Sequence, residues 1–337
     1  MKIPIKLNYY PYINFLIIKA ICFGLRKIIE IKYFKEIKPL FIMFLGESFS
    51  LFVYLYQKFI LLRNEKKKQF KPKKRYDNIQ KIILILFLSS ICDLLGCDET
   101  IINIKTNNIL NSIFLSIFIV LNEYILFKIP KYNYHFLGIS LYITSMIIKS
   151  SDLKFSIKMF ILSFELQYSK SLFYIMEKYL NHIYFMKITS ICFWEGIFGM
   201  IILTIYFLFS KSKFYESLFP NNNNHFFIIL LYCILTCIGN LSRLRVTELS
   251  LPSYNLIGNS LCSLTINIAD SISNKKNKFK WDITNILVMS LSLLASFIFV
   301  EVITFNCFDL DKYTSNSLID RGILETQNIL DSSTITN

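Results

Sequence analysis

The sequence predicts an all-α polytopic membrane protein of about ten transmembrane helices, arranged as two inverted five-helix repeats. Three observations carry that prediction. The 337 residues are 54% hydrophobic and only 18% charged, with a mean hydropathy of +0.47, which is too apolar for an ordinary soluble domain. Several apolar runs reach the roughly 18 to 20 residues that cross about 30 Å of hydrocarbon. The third is a repeated pattern: Asn107-x-x-x-Asn111-Ser112 in one apolar segment recurs as Asn255-x-x-x-Asn259-Ser260 in another, 148 residues later (259 against 111).

The expected spans lie near 8–25, 38–62, 80–97, 103–127, 133–149, 154–180, 184–209, 225–248, 252–272 and 282–305. Long uninterrupted runs fit helices and not the alternating strands of a barrel. The first span has a short apolar core, "INFLII", and carries Lys19. A cleaved signal peptide is the alternative there, but no small-residue cleavage pattern follows, so an uncleaved helix is expected. Between the second and third spans, "RNEKKKQFKPKKR" (63–75) sets eight basic residues against Glu65. The positive-inside rule makes this the core of a cytosolic loop over 63–79, in preference to a nucleic-acid or anionic-lipid site. Ten spans then put both termini in the cytosol, an assignment opposed by "NKKNKFK" near 274–280. Residues 306–337 hold too few large apolar side chains for a core and read as a disordered cytosolic tail.

Residues 1–305 read as one transmembrane domain, with repeat one at about 8–149 and repeat two at 154–305. In each, two helices precede a polar break and three follow it; the second break is "SKSKFYESLFPNNNNH" from Ser210. Gly46-Glu47-Ser48 in the second span corresponds to Glu195-Gly196 in the seventh, and Cys92-Asp93 in the third to the segment Cys237 to Asn240 in the eighth. Asp93 precedes Asn111 by 18 residues and Asn240 precedes Asn259 by 19, so turn and amide motif keep step. An odd number of helices per repeat inverts the second copy in the membrane.

Polar groups inside spans cost several kcal/mol unless paired or hydrated, so each asks for a reason. Asn107 and Asn111, like Asn255 and Asn259, are four apart and share a helical face. With Ser112, Ser260 and Asn240 they are candidates to hydrogen-bond a polar solute; interhelical bonding is the open alternative. Asp93, Glu47, Glu195 and Glu165 are candidate proton-coupling or structural carboxylates, with Gly46 and Gly196 pointing to close helix packing around two of them. Glu177 is expected to pair with Lys178, and Lys170 to pair with Glu165 or face a cavity. The eight cysteines show neither zinc nor disulfide spacing, and His135, His182 and His225 are scattered. There is no phosphate loop or nucleophile elbow. No metal, no cofactor and no enzymatic activity are expected.

The segments "MFLGESFSL" from Met43, "ICDLLG" from Ile91, "IMEKYL" from Ile175, "FWEGIFGMIIL" from Phe193, "CIGNLS" from Cys237 and "VTELSLPSYNLIGNSLCSL" from Val246 cover most of the chain. In this order they resemble the drug/metabolite transporter superfamily, and more closely solute carrier family 35, near its F branch. The resemblance implies a secondary-active carrier of a small polar metabolite working by alternating access; the competing expectation is a transport-inactive scaffold that keeps the fold. Relatives carry a Gln-x-x-Arg-Gly-like element in the fourth helix, which falls here on Asn111, Phe114 and Leu115. Their ninth helix carries Arg, Asp and Arg, which fall on Asn255, Asn259 and Cys262. The loss of those arginines argues against inheriting an anionic substrate.

The expected partners are a small-molecule substrate and the lipid bilayer, with a homodimer left open and nucleic acid excluded. Glu325-x-x-x-Ile329-Leu330 in the tail has the spacing of an acidic-dileucine signal, which points to an endomembrane of the endosome, lysosome or Golgi.

Overall fold

The computed structural model describes residues 5–7, 12–34, 40–64, 79–96, 108–127, 133–150, 157–210, 226–273 and 283–305. Eleven helices fill these residues: α1 (Tyr12–Ile29), α2 (Leu40–Ser48), α3 (Ser50–Asn64), α4 (Ile79–Gly96), α5 (Asn108–Phe127), α6 (Asn133–Ser150), α7 (Ile157–His182), α8 (Ile188–Ser210), α9 (Phe226–Leu249), α10 (Asn255–Ser273) and α11 (Ile283–Phe299). A π turn, Glu30–Phe34, prolongs α1, and a 3-10 turn, Pro252–Tyr254, leads into α10. Two short strands, β1 (Ile5–Leu7) and β2 (Ile303–Phe305), pair antiparallel with Leu7 opposite Ile303.

Five stretches are long and apolar enough to cross a membrane: Leu40–Ile60, Ile79–Gly96, Leu110–Phe127, Ile188–Tyr206 and Phe226–Leu249. Their outer faces carry Phe52, Tyr56, Phe59, Leu121, Ile205 and Phe227 exposed, which is tolerable when the surrounding medium is hydrocarbon. The chain is a helical, multi-pass membrane protein. α1 and α7 fall outside that group because they carry Lys19, Arg26 and Lys27, and Lys158, Glu165, Lys170, Glu177 and Lys178. Lys19, Glu177 and Lys178 are nonetheless buried within the bundle, where α1 lies against α9 and α10, and α7 against α4 and α5.

The segment expected as one helix over 38–62 is broken at Phe49, between α2 and α3. The break follows Gly46-Glu47-Ser48, where Gly and Ser weaken helical continuity. Ser48 Oγ bonds back to the Phe44 carbonyl at 3.0 Å, and Ser50 Oγ donates to the Thr189 carbonyl at 3.0 Å, so the freed polarity is taken up locally and by α8. The last span, expected to run to 305, ends at Phe299. There Glu301, at φ 59°, takes the left-handed conformation of a helix C-terminus. The Glu301 amide bonds to Ile298 O and the Val302 amide to Phe297 O, the two bonds of a Schellman motif.

α2 and α8 approach each other closely. A Cβ on Gly196 would stand 2.6 Å from the Phe44 carbonyl oxygen and 2.7 Å from the Ser48 amide nitrogen, and one on Gly199 would collide with the Phe44 ring. The small-residue contact anticipated for Gly196 is therefore made against backbone, which cannot yield as a side chain can. Gly196→Ala should destabilise the purified protein by about 2 to 3 kcal/mol through overpacking. Gly239→Ala, where a Cβ meets its nearest neighbour at 3.4 Å, should be neutral. Thermal unfolding of the two variants in the same detergent reads the difference.

Candidate functional site

The charged groups of α1, α7 and α9 meet in the interior. Lys19 on α1 is 2% exposed, and its Nζ donates to Asn255 Oδ1 at 3.5 Å and to Asn259 Oδ1 at 3.1 Å, both on α10. The Tyr174 hydroxyl on α7 donates to the same Asn259 oxygen at 3.2 Å, and the Tyr174 ring centroid lies 5.8 Å from Nζ. Asn255 in turn donates from Nδ2 to Thr247 Oγ1 at 2.9 Å, tying α10 back to α9.

Beside this cluster, Arg243 of α9 pairs with Glu177 of α7 at 2.9 Å, with their side chains 5% and 0% exposed. Its guanidinium stands 4.2 Å from the Phe173 ring centroid, close enough for a cation–π contact that adds to the ion pair. The carboxylates of Asp93 and Glu195 add to that of Glu177 in the field at Arg243. Lys178 does not pair with Glu177, correcting the expectation from the sequence: it donates to the Thr247 and Ser250 carbonyls at 2.9 and 2.7 Å. Consecutive helical residues point about 100° apart, so Glu177 faces α9 while Lys178 reaches the end of that helix, where cations are favoured. Glu123 of α5 accepts from the Ser253 amide at 2.8 Å on the other side of the turn.

Glu47 and Glu195 are both buried, and each bonds to the opposite half of the chain. Glu47 Oε1 accepts from Asn240 Nδ2 at 2.6 Å, while Glu195 Oε1 accepts from the Ser89 hydroxyl at 2.6 Å, with Ser90 donating to the Glu195 carbonyl at 3.2 Å. Asn255 and Asn259 are brought together on Lys19. Asn111 and Ser112 lie on α5, with Asn111 buried, and α5 packs against α10. Ser260 turns elsewhere, into a hydroxyl cluster with Ser296 at 2.5 Å and Tyr142 at 3.4 Å that fastens α10 to α11 and α6. Glu165 is exposed on the outer face of α7, so the structure does not bring it to the interior. Lys170 turns inward within electrostatic reach of Lys19, with its Cβ against Gly96 of α4. Asn107 and the Glu325, Ile329 and Leu330 motif lie outside the described residues. No group of three metal-ligating side chains occurs among the described residues.

Sequence reasoning missed Arg243 and gave Lys19 no role. The available signal was an arginine inside a predicted span, three residues after Asn240, since an ionisable group at such a place demands a partner. No protein-family model matches the chain, and no curated protein matches it.

Removing one partner of a buried ion pair strands the other charge. Glu177→Gln and Arg243→Gln should each destabilise the protein by about 3 to 5 kcal/mol, whereas Glu177→Leu combined with Arg243→Met should lose clearly less than the two single losses together. A double-mutant cycle by thermal unfolding measures this coupling.

Proposed function

We propose that the chain is a secondary-active solute carrier of the drug/metabolite transporter type, resembling solute carrier family 35, that moves a small polar metabolite across an endomembrane by alternating access. In this reading ten spans form two inverted repeats of five, with α2 and α3 together as one span. The contact pattern supports it, because the most extensive helix contacts are preserved when the halves are exchanged. α1 on α9 and α10 corresponds to α7 on α4 and α5, α2 on α9 to α8 on α4, and α5 on α6 to α10 on α11, while α2 with α8 and α6 with α11 map onto themselves. The same exchange carries Glu47 onto Glu195 and Asn111 onto Asn259.

The observation that carries the reading is the polar cluster where the halves meet. Lys19 from the first half is held by Asn255 and Asn259 of the second, deep inside a bundle that hydrophobic association alone would fill with aliphatic side chains. Sites between rocking repeats are where carriers place such groups. The scaffold reading draws its support from the degree of internal pairing, above all Glu177 with Arg243. For the address, the tail motif is the support, and it favours a late endosomal or lysosomal membrane.

Reconstitution separates the two readings. Purified protein in liposomes should take up at least one member of a panel of labelled polar metabolites saturably, and Asn111→Leu or Asn259→Leu should lower that uptake at least tenfold, about 1.4 kcal/mol. Uptake indifferent to both substitutions would favour the scaffold. The topology is tested independently: tags placed at Gln69 and Asn337 should show the same protease accessibility in sealed vesicles, and opposite protection would overturn the ten-span arrangement.

A further inference from the structure

Lys19 is a cation that the fold buries and does not neutralise. Its partners are the two amide oxygens and the Tyr174 ring; among the described residues no carboxylate lies within ion-pairing distance of it. Arg243, one helix away, differs in having Glu177 at 2.9 Å. Other charges within electrostatic reach of Lys19 are Arg243 and Lys170, both of its own sign, and Glu177, which Arg243 already holds at 2.9 Å. A buried ammonium with dipoles alone for company costs several kcal/mol, so a stable fold keeps it only at a penalty.

The groups around it suit an anion. Asn259 Nδ2 is buried without a hydrogen-bond partner, although it belongs to the amide whose oxygen receives both Lys19 and Tyr174. Gly258 lets α1 lie close enough for Lys19 to reach the Asn259 amide, since a Cβ there would stand 3.1 Å from Lys19 Nζ and 2.9 Å from Leu16. Two donors now share one neutral amide oxygen; transferring them to a carboxylate oxygen replaces a dipolar acceptor by a charged one, which roughly doubles the strength of each bond.

We propose that Lys19, the Asn259 amide and the Tyr174 hydroxyl form a receptor for one carboxylate on the solute. Lys19 supplies the countercharge, and Tyr174 and Asn259 Nδ2 supply hydrogen bonds that orient the group. One unneutralised positive charge matches a monoanion, so a phosphate, which brings nearly two negative charges near neutral pH, is the poorer fit. A cation placed against the Lys19 ammonium is repelled by it. This rests on the carrier reading for transport of the bound solute, and narrows its class to small monocarboxylates, reversing the expectation drawn from the lost arginines of α5 and α10.

The test is thermal unfolding of the full-length protein in detergent with acetate, L-lactate or benzoate at up to about 50 mM, against sodium chloride, inorganic phosphate and choline chloride at matched ionic strength. At least one carboxylate should raise the midpoint while the other salts do not. Lys19→Met should raise the half-effective carboxylate concentration at least tenfold and, without ligand, unfold at a higher temperature than the unsubstituted protein, because the unneutralised charge is gone. Asn259→Asp sets a carboxylate where an amide oxygen now stands 3.1 Å from the ammonium; it should stabilise the empty protein and abolish the response. No shift with any carboxylate, an equal shift with phosphate or choline, or a full carboxylate response in Lys19→Met overturns the proposal. Carboxylate binding without uptake in liposomes would remove the carrier reading and leave this receptor standing. Uptake of neutral solutes alone, with no carboxylate shift, would do the reverse.

Discussion

Arg243 and Glu177 meet 2.9 Å apart at a depth where neither charge could be left alone, and much of the surrounding architecture follows from keeping them together. The pair joins α9 to α7. Phe173 closes over the guanidinium, and one residue further along α7 Tyr174 turns toward Asn259 and Lys19. A helix carrying Lys158, Glu165, Lys170, Glu177 and Lys178 is too charged to stand in lipid by itself. It is stable here because α4 and α5 cover one side, and α9 and its end receive Glu177 and Lys178 on the other. The same logic places α1, whose Lys19 is sheltered by α10 and whose Arg26 bonds with Glu30 at its own C-terminal end.

Two kinds of contact therefore hold the bundle, with different demands on sequence. Between α2 and α8 the contact is steric: Gly196 and Gly199 let Phe44 and the α2 backbone approach closely, and dispersion between well-fitted surfaces replaces a hydrophobic driving force that hydrocarbon cannot supply. Along α1, α7, α9 and α10 the contact is polar, and its strength comes from satisfying groups that would otherwise be buried without partners. Glu47 with Asn240 and Glu195 with Ser89 lie where the two kinds meet, on helices whose glycines bring the carboxylates within reach of the opposite half. Each links the halves by a short polar bridge.

The clamp on the α9–α10 turn shows how local geometry decides pairing. Lys178 binds the last carbonyls of α9 and Glu123 the amide of Ser253, so a cation sits at one helix end and an anion at the start of the next, as helix dipoles favour. Adjacency in sequence suggested that Lys178 belonged to Glu177. On a helix adjacency means divergence, and each side chain found the partner its own face presented.

The sequence by itself determined the helical, membrane-embedded class, because hydropathy and run length act residue by residue and need no partner to be read. It also determined where helices begin within a few residues, and that Gly46 and Gly196 would sit in close contacts. It could not determine which buried charge meets which. Lys19 belongs with Asn255 and Asn259 across more than 230 residues, Arg243 with Glu177, and Ser260 with Ser296 and Tyr142 instead of a solute. Such pairings depend on which helix faces turn toward each other, and helical rotation is set by the fit of many weak contacts at once. Tertiary structure alone decided that Glu165 would lie outside the polar interior and Lys19 within it, although both are charges on long bundle helices.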